Sequence, residues 1–224
     1  MADKKLTHQD NFVYLTIALA VLLFSSALVD QFAGPAGQLI VQAVTLVTLA
    51  VAVWSIHREK SWYRTRVGFI AAIFLVAVLS VVLNKSGFHL AYLAIMLAFF
   101  SMTVWLAARQ VLFTGAVDQN KILGAICIYL LMGLIWAVIY LLVGQIIPDS
   151  FNGQVTTPWY DNFPDFVYFS FVSLTTLGFG DISPAVPITR FLVYMEAIVG
   201  QFYLAILVAS LVGIRVSDHK SDRA

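Results

Sequence analysis

The chain has 224 residues, 61% of them hydrophobic and 11% charged, with a formal net charge of +1 and a mean hydropathy of +0.89. An ordinary soluble domain carries roughly 25% charged residues, so this composition excludes one and predicts an integral membrane protein. The near-neutral balance gives no footprint for nucleic acid. The single cysteine, Cys127, excludes an intrachain disulfide and reads as a small buried apolar residue.

Apolar runs of bilayer length, about 20 residues each, fall at 12–32, 37–56, 67–83, 88–108, 122–147 and 188–214. The first follows Lys4 and Lys5, but Asp3 and Asp10 dilute that positive start and no cleavage signal follows. It therefore reads as an uncleaved spanning helix rather than a signal peptide. Trp54, Trp62, Tyr63 and Trp105 lie near run ends and read as interface anchors. His57, Arg58, Lys60, Arg64 and Arg66 form a basic loop that sets topology, with anionic-lipid binding at 57–66 as a further reading.

The fourth run, FHLAYLAIMLAFFSMTVWLAAR, carries one arginine, Arg109, at its end. A voltage sensor needs several charges in the field, each worth about 2.3 kcal/mol per 100 mV. Little or no intrinsic voltage sensing is therefore expected. With the N-terminus cytoplasmic, every one of the 13 basic residues except Lys85 and Arg190 falls inside, a strong positive-inside pattern. Six spanning helices result, with both termini cytoplasmic and the protein multi-pass in the cell (plasma) membrane.

Between the fifth and sixth runs, DNFPDFVYFSFVSL has the signals of a short helix. Asp161 and Asn162 are good N-cap residues, Pro164 suits a first turn, and Asp165 complements the helix N-terminus. A helix over 164–175 reaches about 18 Å, only partway into a hydrocarbon core of about 30 Å. The stretch Thr176-Leu177-Gly178-Phe179-Gly180 then begins at depth, where non-helical backbone survives only in protein or beside a water-filled path. Gly178 and Gly180 make left-handed backbone angles inexpensive, so successive carbonyls can face one axis. Four copies of such a strand can replace the hydration shell of a cation.

The stretch SLTTLGFGD, Ser173–Asp181, resembles the filter signature T-V-G-Y-G-D of tetrameric potassium channels. Pore helix, filter, external proline and following helix are spaced as in that family. The block beginning at Glu196, EAIVGQFYLAIL, is similar to the inner helix of its prokaryotic members. The resemblance covers roughly residues 120–214. It implies an all-α homotetramer of six-transmembrane subunits, each with a re-entrant pore helix and an extended selectivity filter. It also implies K+ bound at Thr176, Leu177, Gly178, Phe179 and Gly180, and no cofactor besides potassium ions. On this reading 1–110 is a four-helix domain that is not a functional voltage sensor, and 111–121 is a cytoplasmic linker. Residues 122–214 are the pore domain, and 215–224 a cytoplasmic tail.

Two departures stand out. Leu177 replaces the usual valine, and Phe179 the usual tyrosine, whose hydroxyl helps tie the filter to its surroundings in the family. A less firmly braced filter is expected. Asp181 at the outer mouth either concentrates cations or braces the loop.

In the last run, Glu196 is the only acidic residue deep in a predicted span, where a charge costs at least about 2.5–3.5 kcal/mol. It is expected to brace the pore helix through a hydroxyl such as Ser170, Ser173 or Thr175, with a pH or ion-binding role as the alternative. Ser173 and Thr175 thus join it as filter support. Gly200 reads as a gating hinge by resemblance, or as a site of close helix packing. Gln201, Leu204, Ala205 and Val208 share a helix face and are expected to line the inner cavity. The competing assignment packs that face on the fifth helix.

The expected function is passive, potassium-selective conduction. The alternatives are a weakly selective monovalent cation channel and a non-conducting pore-like subunit. A transporter would show repeats or several broken helices, and this chain has one break. His8, His57, His89 and His219 share no ligand spacing and no nucleophile–base motif occurs, so no enzyme is expected.

Overall fold

The computed structural model describes residues 11–32, 86–112, 119–153 and 162–221, with positions 45, 47, 48, 50, 51, 68, 71 and 75. The expected second and third spans, and most of the basic loop, lie outside the described residues. Helix α1 spans Asn11–Phe32, α2 Ser86–Leu112 and α3 Gln119–Ile146. A two-residue strand β1, Phe151–Asn152, precedes α4, Phe163–Leu174. Strand β2, Ser183–Pro184, then leads into α5, Pro187–Ser221.

Among the described residues, three helical stretches are long and apolar enough to cross a membrane: His89–Val111, Asn120–Ile146 and Pro187–Ser210. Several serine and threonine hydroxyls within the apolar helices bond back to their own backbone, which satisfies them without water. Thr16 Oγ1 donates to Phe12 O at 2.7 Å and Thr103 Oγ1 to Phe99 O at 2.8 Å. Helix α4 has 12 residues, so it is about 18 Å long and does not span.

Helix α3 is the hub, with α1, α2, α4 and α5 all packing against it. One continuous core joins Phe12, Leu15 and Leu19 of α1 and Tyr92, Met96 and Phe99 of α2 to Leu134, Val138 and Tyr140 of α3. Phe163, Phe166 and Phe169 of α4 complete it. The first helix is locked onto the start of α3: Phe12 N donates to Asn120 Oδ1 at 3.2 Å, satisfying a first-turn amide. Nearby, Thr16 Oγ1 lies 3.1 Å from Sγ of the buried Cys127.

The strands pair antiparallel, Phe151 opposite Pro184 and Asn152 opposite Ser183. This clips the segment after α3 to the segment before α5. Thr189 Oγ1 reinforces the clip by donating to Ser150 O at 3.0 Å. Helix α5 is 35 residues long, about 50 Å. It continues past 214, so most of the expected tail is helical.

Candidate functional site

The site is built where α4 stops. Asn162 occupies the N-cap with right-handed angles and makes no side-chain cap bond, in contrast to the cap expected from its residue type. Its carbonyl nevertheless starts the helix, accepting from Phe166 N at 3.0 Å. Pro164 and Asp165 lie in the first turn, as their chemistry favours. At the other end Thr175 N still bonds to Phe171 O at 3.1 Å, and Thr175 Oγ1 to the same carbonyl at 2.6 Å.

The next residue leaves the helix abruptly. Thr176 has φ 61, Gly178 φ 60 and Gly180 φ 83, while Leu177 and Phe179 stay at negative φ. Positive and negative φ therefore alternate along the stretch, a pattern that can turn successive carbonyls toward one side. The amides go back to α4: Leu177 N donates to Val172 O at 2.9 Å and Gly178 N to the same oxygen at 3.4 Å. For Thr176, a β-branched residue, the left-handed angle costs about 1–2 kcal/mol. Residues 175–181 are all exposed on the single chain, Phe179 at 67% and Leu177 at 62%.

Asp181 follows at the exposed end. The Tyr168 hydroxyl donates to its carboxylate, and that bond holds the Asp181 carboxyl below its ordinary value of 3.8, against a smaller opposing effect of desolvation. Below the stretch, Gln201 Nε2 reaches Thr176 Oγ1 at 3.5 Å. Ala205 and Val208 are exposed along with Gln201, and Leu204 is half-buried. The face that turns to α3 carries Tyr203 instead, stacked on Tyr129 and donating to Ala125 O at 2.7 Å.

Glu196 is fully buried behind α4. Of the three hydroxyls offered to it by the sequence, Ser170 meets it, with Oγ 2.5 Å from Glu196 Oε1. Thr175 bonds to its own helix, and Ser173 is buried with its carbonyl accepting from Thr176 N at 3.0 Å. The residue missed in the sequence is Tyr140 of α3, whose hydroxyl donates to Glu196 Oε2. Its ring is held by Phe151, Phe166 and Phe169, with centroids 5.5, 6.3 and 5.2 Å away. The only signal available was the general demand of a buried acid for donors.

Gly200 lies against the end of α4. A Cβ there would stand 2.5 Å from Leu174 O and 2.8 Å from Leu174 Cδ1. This approach is a sufficient reason for glycine, independent of any hinge.

Residues 125–215, running from α3 through α4 and the extended stretch into α5, match a family model described as ion channel. The match covers the helices and loop just described and supports an ion channel. No curated protein and no solved structure matches the chain.

Proposed function

We propose that the chain is one subunit of a homotetrameric, potassium-selective channel that conducts passively. The carrying observation is the alternation of positive φ at Thr176, Gly178 and Gly180 with negative φ at Leu177 and Phe179. It frees one row of carbonyls opposite the amides that bond to Val172. One such row cannot enclose an ion, whereas four arranged around an axis can replace its water. The C-terminus of α4, with its partial negative charge, ends at the start of this row and favours a cation there.

The proposed K+ ligands are backbone groups of Thr176, Leu177, Gly178, Phe179 and Gly180. Gln201, Leu204, Ala205 and Val208 line the cavity, while Glu196, Ser173 and Thr175 support the filter. Asp181 sits at the outer mouth with its carboxylate tied to Tyr168. The apolar side chains that α5 leaves exposed, among them Phe191, Ile198, Phe202 and Ile206, fit contact with neighbouring subunits and lipid. Both termini are assigned to the cytoplasm.

The second reading, a weakly selective cation channel, draws on Phe179, which has no hydroxyl to tie a largely exposed filter residue to its surroundings. Bi-ionic reversal potentials in planar bilayers separate the two. The potassium reading expects a large shift between K+ and Na+, with barium-blocked K+ flux from proteoliposomes. A reversal potential near zero selects the weakly selective channel, and absence of flux selects a non-conducting subunit.

A further inference from the structure

Glu196 is the only buried residue of acidic or basic type among the described residues. Three oxygen–oxygen contacts meet around it. Tyr140 Oη donates to Oε2, Ser170 Oγ lies 2.5 Å from Oε1, and the same Oγ lies 2.7 Å from the carbonyl oxygen of Gly133. Contacts this close are those of full, two-centre hydrogen bonds, and each needs its own hydrogen.

The hydroxyls of Tyr140 and Ser170 supply one hydrogen apiece, and the Gly133 carbonyl supplies none. Two hydrogens cannot fill three contacts. Without a third, Ser170 would face either Glu196 or Gly133 lone pair to lone pair in a buried site, where an unmade hydrogen bond costs about 1–3 kcal/mol. The other groups that act on the carboxyl do not change the count. Helix α4 contributes Ser170, and α3 contributes Tyr140 and the more distant Tyr129. None of these is a cation.

We propose that Glu196 is a neutral carboxylic acid that donates its proton to Ser170. Ser170 in turn donates to the Gly133 carbonyl, and Tyr140 donates to Oε2. The relay ties α5, α4 and α3 together with three hydrogens and no net charge. On the channel reading, four neutral acids around the pore leave cation attraction to the filter carbonyls and the pore-helix ends.

The chain contains two glutamates, Glu59 and Glu196, so glutamate labelled with carbon-13 at the side-chain carboxyl reports on these alone. Infrared spectra of the intact labelled protein in bilayers at neutral pH are expected to show one carboxylate and one protonated acid. The acid band is expected to persist in Glu59→Gln, where Glu196 is the sole labelled carboxyl, and to shift in Ser170→Ala as its acceptor is removed. Carboxylate alone in Glu59→Gln overturns the proposal, and so does an acid band that Ser170→Ala leaves unmoved. The spectrum reads the proton whether or not the protein conducts, so a failure here is distinct from a failure of the channel reading.

Discussion

At the scale of single residues, the extended stretch after α4 depends on backbone angles that most side chains resist. Gly178 holds φ 60, and apart from its immediate neighbours no atom of its own chain lies within 4 Å of where a Cβ would stand, so within the chain it is the angle that selects glycine. Gly178→Ala carries a conformational penalty of about 1–2 kcal/mol per subunit. The expected outcome is loss of potassium preference in bi-ionic recordings, with the helices intact by circular dichroism. Asp181 permits a second prediction. Its pKa is depressed in the folded protein by the Tyr168 hydroxyl, so the stabilisation is present above the ordinary value of 3.8. It is lost as external pH falls through the lower folded value. Tyr168→Phe is expected to move the acid-side loss of current upward toward that ordinary value, read by titrating the external solution. An unmoved titration would sink this assignment.

At the scale of elements, α4 and α5 meet closely where the extended stretch begins. Leu174 is fully buried, its carbonyl lies beside Gly200, and Tyr129 Oη reaches the same carbonyl at 3.5 Å. A methyl at Gly200 cannot enter without displacing backbone, and overpacking of this kind costs about 1–3 kcal/mol. Gly200→Ala is therefore expected to lower the thermal midpoint of the detergent-solubilised protein as well as alter conduction. A pure hinge would change gating and leave the midpoint where it was. Helix α4 was legible in the sequence because Pro164, Asp165 and the brief apolar run are local signals. Its partner Tyr140 was not, because a hydroxyl on a long apolar helix acquires meaning only when another helix brings an acid to it.

At the scale of the molecule, α1 and α2 share their core with α3 and α4 rather than standing apart as an independent unit. Their one visible arginine, Arg109, stacks over Trp105 at 4.7 Å in the last turn of α2. Moving a charge through the whole field yields about 2.3 kcal/mol per 100 mV, and a residue at a helix end crosses little of it. Conductance–voltage curves in planar bilayers are expected to be shallow between negative and positive potentials. A steep curve carrying several gating charges would refute this. The apolar side chains of α5, among them Phe191, Ile198, Phe202 and Ile206, are left exposed by the chain's own packing.

Membrane class, the half-length helix and the place of the extended stretch follow from the sequence itself. They rest on local quantities: run length against bilayer thickness, residue type at helix starts, and glycine where backbone must turn. The left-handed angle at Thr176 is not among these, since nothing in a threonine requests it; the pull of Val172 O on the two following amides does. The choice of Ser170 over Ser173 and Thr175, the part played by Tyr140, and the press of Gly200 on Leu174 likewise came only with the tertiary structure. Each depends on the distance between helices far apart in the chain, and hydrogen bonds and close contacts are decided over fractions of an ångström that periodicity cannot specify.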